Sequence, residues 1–444
     1  MRDLTFLCVL LLAATSPAAA QDPLPARVTL DEALARAAAN SHRLGELRAR
    51  ESAAGALLDQ RRAADMPIVS AQAGYQRTNH VDPYGFVQNG RLQVLYPDVP
   101  DNWRARLDMQ WPIYTGGRTK ALEQAAIAEH NATGKDLESA RADLRLETTR
   151  AFWALVTATE SVSVVGESVK RIEAQLGDVR ARFDAGFLPP NDVLTVDSRV
   201  SQQRTLLIQA RNLRDGARAE LARLMGAPVD ADFEVDAVLA EAGPPSPTAS
   251  ARQASPAAST LGQIERADRE ALALRVEAAE SRIAAARADS KPSVAVIGGY
   301  DYARPNPRIF PREDVWEDSW DLGVNVSFTL WNGGRTAAQV AEAQHQAEAA
   351  RERLAEADTQ IALEIRQRQL DLASVRSQVE TASAAVVSAT EARRVVAERF
   401  GAGVATSTDL LDAQVDQLQA ELERTFALAN VKLAEARLAR ALGN

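Results

Sequence analysis

The chain of 444 residues has one cysteine, Cys8, and it lies among the first twenty residues. The rest of the chain therefore has no disulfide and no thiol chemistry. Its four histidines, His42, His80, His130 and His345, are scattered without metal-ligand spacing. No P-loop, nucleophile elbow or HExxH sequence occurs, so no catalytic residue, metal or cofactor is expected. The net charge of −9 argues against general nucleic-acid binding. After the first twenty residues no stretch approaches about 18 consecutive apolar residues, so no transmembrane helix is expected. Aromatic residues are only 5% of the total and alanine is abundant, which suits long helices packed through small side chains better than one thick core.

Residues 1–20 read as an export signal. Arg2 gives a short basic start, weakened by Asp3; Phe6 to Ala14 are apolar, and Ala18-Ala19-Ala20 form a small-residue cleavage site before Gln21. An anchor helix is the other reading, but the apolar run is too short to span a bilayer. An exported chain of this kind is periplasmic, secreted or an outer-membrane β-barrel.

Much of the chain occurs twice. Gly116-Gly117-Arg118-Thr119 returns as Gly333-Gly334-Arg335-Thr336, and the shift of 217 from Arg118 to Arg335 also carries Trp103 to Trp320, Arg182-Phe183 to Arg399-Phe400, Gly186 to Gly403, and Asp192 to Asp409. More than a hundred residues align without a gap. Such a repeat fixes the architecture before any local reading. The boundaries expected are 21–227 for the first repeat, 228–260 for an irregular linker rich in Pro, Ala and Ser, and 261–444 for the second repeat.

Each repeat opens with a helix, the first with a capping box at Thr29 and Glu32 and an end before Pro67. After the proline the apolar period becomes two. Strands are expected over about 68–77 and 103–114, and again over 293–302 and 320–331. Val69, Ala71, Ala73 and Tyr75 alternate with Ser70, Gln72, Gly74 and Gln76; Trp103, Ala105, Leu107, Met109 and Trp111 alternate with Arg104, Arg106, Asp108 and Gln110. Trp103, Trp111, Trp320 and Trp331 mark strand ends. Eight steps from Trp103 to Trp111 span roughly 26 Å at about 3.3 Å per residue, which fits an apolar band of about 25 Å between aromatic girdles. A soluble sandwich is the other reading of such strands, though four strands make a poor one. In lipid, four strands leave open edges at several kcal/mol per unpaired backbone group, so several chains would have to share one barrel.

Long helices follow, over about 118–226 and 335–442. Phe152, Leu155, Val162, Val165, Val169, Ile172, Leu176, Val179 and Phe183 step mostly by three and four, as in a coiled-coil seam. About 68 residues at about 1.5 Å each make a helix of ~100 Å. Gly186 and Gly403 end these helices as C-terminal caps.

In this order the duplicated elements, the paired segments Trp-Pro-Ile-Tyr-Thr-Gly-Gly-Arg and Phe-Thr-Leu-Trp-Asn-Gly-Gly-Arg, and the turns Arg182-Phe183-Asp184-Ala185-Gly186 and Arg399-Phe400-Gly401-Ala402-Gly403 resemble the TolC-like outer-membrane factors. The resemblance covers essentially the whole mature chain. It implies an α+β membrane protein: a homotrimer with a twelve-stranded outer-membrane β-barrel, four strands per chain, continuing into a long periplasmic α-helical barrel. It also implies a Gram-negative outer membrane, and a periplasmic adaptor and an inner-membrane transporter as partners. Such a duct passively conducts small molecules from an efflux pump, or serves type I protein secretion. A reading of another class is an exported coiled-coil structural protein.

By the same resemblance the turns at Gly186–Asp192 and Gly403–Asp409 form the periplasmic tip, where Arg182, Phe183, Gly186, Asp192, Arg399, Phe400 and Gly403 meet the adaptor. Asp409 and Asp412 match an acidic constriction; they are three apart, hence on one helix face. Capping by Ser407, Thr408 and Asp409 is the structural alternative. Two departures stand out. Ala405 occupies a position where some members close the tip with arginine, and Pro189-Pro190 stiffen the first turn.

Overall fold

The protein is described by a computed structural model over residues 25–239 and 266–443. The expected signal peptide lies outside these residues, as does the linker from residue 240 onward. In chain order the elements are β1 (Arg27–Val28), α1 (Leu30–Asn40), α2 (His42–Ala63), β2 (Ile68–Arg77), β3 (Tyr84–Gln88), β4 (Arg91–Tyr96), β5 (Asp101–Tyr114), α3 (Arg118–Asp184), α4 (Pro190–Leu224), β6 (Glu234–Val235), α5 (Ala267–Ala288), β7 (Ser293–Arg304), β8 (Glu317–Ser327), α6 (Arg335–Gly401) and α7 (Ser407–Ala441). The long helices recur at the sequence shift: α3 and α6 have 67 residues each, α4 and α7 have 35.

Three local details differ from the sequence reading. The opening helix is two helices, because Ser41 takes an extended backbone at the end of α1. A hairpin, β3–β4, fills part of the segment between β2 and β5. Its turn is Asn89-Gly90, both with positive φ (53° and 73°), the pairing that two-residue hairpins favour. Finally, β8 stops at Ser327, so Trp331 lies beyond the strand that was expected to contain it.

Contacts divide the described residues into two compact units that cut across the repeats. One holds 25–41, 144–239 and 372–436; the other holds 42–143, 266–371 and 437–443. In the first unit Thr29 caps α1 reciprocally with Glu32, as the sequence predicts. Asn40 donates to the carbonyl of Met225 at 2.8 Å, and Gly226 (φ 72°) leaves room for it, since a Cβ there would lie 2.5 Å from Asn40 Cβ. Phe152, Leu155, Ile172, Val179, Val196, Leu221 and Leu411 are almost fully buried. The apolar stepping read along α3 thus faces a core.

The second unit contains the main sheet, antiparallel in the order β2-β5-β7-β8. Its helices pack through alanines, among them Ala128, Ala132, Ala271, Ala278 and Ala347. Buried Arg266 ties three chain segments by donating to Asp268, Glu364 and the carbonyl of Ala441. Arg440 reaches Asp143 at 2.7 Å. Burial alone would lower the Arg266 pKa, but the two carboxylates outweigh it and hold the guanidinium charged.

Gly116 opens the turn into α3 with φ 66°, and a Cβ there would meet Lys291 Cβ at 2.8 Å and the Ala288 carbonyl at 2.9 Å. Gly333, its repeat partner, has φ 67° but nothing within 4 Å. We predict that Gly333→Ala costs about 1 kcal/mol, the strain of the left-handed backbone alone, and that Gly116→Ala costs about 1–3 kcal/mol more from overpacking. Denaturant unfolding of both variants, followed by circular dichroism, measures the difference; equal costs would contradict it.

Candidate functional site

Two regions carry the chemistry: the helical turns of the first unit and the sheet of the second. At the first turn α3 ends in a glycine cap. Gly186 (φ 80°) donates to the Phe183 carbonyl at 2.8 Å and Phe187 donates to the Arg182 carbonyl at 2.9 Å. The second turn repeats the pattern: Gly403 (φ 75°) to Phe400 at 3.1 Å, and Val404 to Arg399 at 2.8 Å. These crossed bonds satisfy the last carbonyls of each helix and need a residue free to adopt positive φ.

The two turns then diverge. Phe400 is 7% exposed and packs with Ile172, Leu176, Val179, Val196 and Leu411. Its counterpart Phe183 is exposed, as are Phe187 and Val404. Arg182 lies over the Phe400 ring, 4.7 Å from its centroid, and donates to the Phe400 carbonyl at 3.1 Å. Arg399 is exposed at the matching position. The α4 start is set by Pro189 and Pro190 with no side-chain cap, and Asp192 is half-buried beside it.

The start of α7 is capped instead. Thr406 donates its N–H to Asp409 Oδ2 at 2.9 Å, and Asp409 donates its N–H to Thr406 Oγ1 at 3.2 Å. The cap is thus Thr406, one residue before the Ser407–Asp409 segment expected to provide it. A Thr followed three residues later by an acidic group is the signal that could have located it. Asp412 is exposed one helical turn further on. Both aspartates therefore stand on an exposed face, and one of them also closes the helix start.

In the sheet, the register sorts most side chains by face. Ala71 pairs with Leu107, Leu107 with Tyr300, and Tyr300 with Trp320. Val296 pairs with Val324, and Val294 with Val326. This apolar face is open: Trp320 is 73%, Leu322 68% and Val324 66% exposed. Trp103 lies against Tyr75 at 4.4 Å, and the Trp111 indole donates to the Asp65 carbonyl at 3.1 Å. Trp103 is opposite Arg304, whereas Trp320 is level with Leu107, four positions along β5. The aromatic line thus runs obliquely across the register, as tilted strands require. Trp331 is exposed beyond the strand end.

The opposite face carries Arg104, Arg106 and Asp108 on β5, Asp301 on β7 and Asp321 on β8. Arg104 donates to Asp301 at 2.6 Å, and Arg106 donates to Asp108, Asp301 and Asp321. Sequence reasoning placed Arg104, Arg106, Asp108 and Asp321 on one polar face but did not join them. Antiparallel register across β5, β7 and β8 is what brings them together. Among the described residues no group of His, Cys, Asp and Glu is arranged to hold a metal, and no helix is long and apolar enough to cross a membrane.

Asp409 gives a pH prediction. The Thr406 N–H, then the Thr406 hydroxyl and the positive charge of Arg399, hold its carboxyl below the usual value. A group lowered on folding stabilises the folded state fully above its unfolded pKa and loses that contribution as pH falls through the folded one. We expect amide exchange in the first turn of α7, corrected for intrinsic rates, to be constant above about pH 5 and to accelerate below about pH 4. In Asp409→Asn that acceleration should vanish; its persistence would mean that another group governs the fraying.

The profile of the outer membrane efflux protein family matches residues 33–227 and 263–444. Alkaline protease secretion protein AprF of Pseudomonas aeruginosa is 23% identical over 346 residues, covering 76% of this chain and 69% of that one. Outer membrane protein TolC of Vibrio cholerae is 22% identical over 391 residues, 86% and 83% of the two chains. Among solved structures, the outer membrane protein VceC of Vibrio cholerae superposes with a TM-score of 0.78 at 20% identity, over 94% of this chain and 96% of that one. Matched by one family over both halves, and sharing the fold of an outer-membrane protein along nearly its whole length, the chain belongs to the outer membrane efflux protein family.

Proposed function

We propose that the chain is one third of a passive outer-membrane duct that conducts small molecules outward from a periplasmic pump. The observation that carries this is the four-stranded sheet, with one exposed apolar face, one charged face, and unpaired edges at β2 and β8. In lipid each open edge would leave backbone groups without partners. Three copies, edge to edge, supply twelve strands and remove every edge, within the size range of closed membrane barrels. The long helices continue from the Gly116-Gly117 and Gly333-Gly334 turns and, in this reading, line the periplasmic part of the duct. An adaptor meets the exposed turns at Phe183, Phe187 and Val404, and the inner-membrane transporter supplies the energy.

The likeness to a protein named for protease secretion favours a second reading, in which the cargo is a secreted protein. Deleting the gene in its host separates the two. Small-molecule efflux predicts sensitivity to toxic compounds with an unchanged set of secreted proteins. Loss of one secreted protein without such sensitivity would replace the first reading by the second.

Two substitutions test the duct itself. Leu107→Arg places a charge on the apolar face, at about 2–4 kcal/mol if that face meets the middle of a bilayer. The heat-resistant oligomer should be lost on a gel; an oligomer as stable as the parent would remove lipid from that face. At the tip, three copies of Asp409 and Asp412 would place carboxylates around a narrow entrance, and such rings attract cations. Trivalent cations on the periplasmic side should therefore block single-channel current. The Asp409→Ala, Asp412→Ala double variant should escape the block while remaining trimeric. Block as strong as in the parent would leave these residues as helix-end groups only.

A further inference from the structure

The segment 305–316, between β7 and β8, does not extend away from the sheet. It folds back over the charged face. Asn306, 1% exposed, donates to the Glu317 carbonyl at 3.0 Å and to Ser319 Oγ at 3.1 Å. Arg308 forms an ion pair with Asp321 at 2.6 Å. Ser319 and Asp321 alternate with Trp320 and Leu322, so both belong to the charged face. At its far end the segment reaches the hairpin, where the Arg312 guanidinium lies 5.3 Å from the centre of the Tyr96 ring. Beneath it is a cavity of about 370 Å³, bounded by Gln72 and Gln76 of β2, Arg104 and Arg106 of β5, and Pro305 and Pro307 of the segment.

The strand residues are shaped to receive it. Arg106 crosses β7 to reach Asp321 on β8, and Gly299 lies under its path. A Cβ at Gly299 would stand 2.3 Å from Arg106 Nη2 and 2.9 Å from Asp321 Oδ1. Only glycine leaves that crossing open. Asp301, with a side chain 2% exposed, is enclosed between Arg104 and Arg106. Arginines 104, 106 and 308 then balance aspartates 108, 301 and 321. Ion pairs held this close on a partly enclosed surface resist screening better than exposed ones.

We infer that Arg104, Arg106, Asp108, Asp301 and Asp321, capped by Arg308 of this strap, form a charge-balanced constriction inside the barrel, separate from the Asp409 and Asp412 entrance. The inference rests on the reading of the sheet as barrel wall with its charged face inward. The strap restricts passage from the loop-bearing end, and Arg308 is its fastening. Releasing Arg308 leaves two arginines against three aspartates in each subunit, so the opened passage favours cations over anions.

The test uses the absence of native cysteine after residue 20. Asn325 lies on the charged face, beyond Asp321 and Gly323 as counted from the strap. A cysteine there, Asn325→Cys, is exposed on intact cells to a maleimide too large for porins. Labelling should be slow in this variant and about tenfold faster when Arg308→Ala is added, as expected when a pore-lining barrier is removed. Arg308→Gln replaces Arg308→Ala if the latter fails to give the heat-resistant oligomer. A control in the strap, Val315→Cys, should be labelled rapidly in both backgrounds. In a separate variant, Asn306→Cys with Ser319→Cys should form a disulfide in air, dissolved oxygen taking up the two electrons and two protons; two free thiols would overturn the strap. Equal labelling at residue 325 with and without Arg308, while residue 315 labels, overturns the strap and leaves the duct reading intact. Failure to label residue 315 at all places these loops away from the exterior and overturns both.

Discussion

A β-strand at the edge of a sheet carries a row of backbone donors and acceptors, and in an apolar medium water is not there to satisfy them. Here β2 and β8 are such edges, on a sheet whose open face bears Trp320, Leu322, Val324 and Leu107. One chain cannot resolve both problems. Curling four strands into a closed barrel is geometrically out of reach, and the apolar face stands exposed in the single chain. Pairing with identical edges resolves both at once: the backbone groups find partners and the apolar face meets lipid. In the proposed duct, oligomerisation is then a condition of the fold and not an addition to it. The twin glycine turns follow from the same requirement, because each hairpin must pass abruptly into a helix at the barrel's rim.

In the proposed barrel the other face turns inward, and that face has its own constraint. Asp301, with a side chain 2% exposed, answers both Arg104 and Arg106, and its loss would leave Arg104 without a carboxylate. Breaking a buried pair costs far more than the pair contributes, so this part of the cluster is held as a unit. Gly299 shows how strictly: it gives up a side chain in the middle of a strand, which ordinarily weakens a strand, to let one guanidinium cross.

The sequence displayed the periods well. Alternation at Val69–Tyr75 and Trp103–Trp111 depends on which face of a sheet is apolar, and stepping by three and four from Phe152 to Phe183 on which face of a helix is mostly buried; both leave a direct mark on residue type. The break at Ser41 left little mark, since a single extended residue between two helices needs no proline or glycine. The β3–β4 hairpin had a signal in Asn89-Gly90, obscured by a segment otherwise read as loop. The charged cluster was legible only in part. Its members sit 215 residues apart, from Arg106 to Asp321, and no local pattern states that β5 pairs with β7. Likewise Phe183 and Phe400 each follow an arginine and precede a capping glycine by three residues, yet one is exposed and the other is core. The shared Arg-Phe pair does not distinguish them; the distinction comes from what packs beside them.

That divergence bears on the proposed gate, because it makes the two copies of one hairpin unlike. Two copies of one hairpin would by themselves give a symmetric ring in which every turn behaves alike. The second copy is fixed inward: Phe400 is sunk in the core, Arg182 of the first copy holds it through the ring face and the backbone carbonyl, and Thr406 with Asp409 closes the following helix. The first copy is fixed differently, by the ring constraints of Pro189 and Pro190, which set the backbone without using a side-chain hydrogen bond. A proline constraint is indifferent to pH and to nearby charge, whereas a carboxylate cap responds to both and an arginine over an aromatic ring responds to nearby charge. Duplication has therefore placed a stiff turn and an electrostatically tunable turn in the same subunit. In the second turn the cap itself, Asp409, is an exposed aspartate, so there the group that responds to charge is also one that presents it.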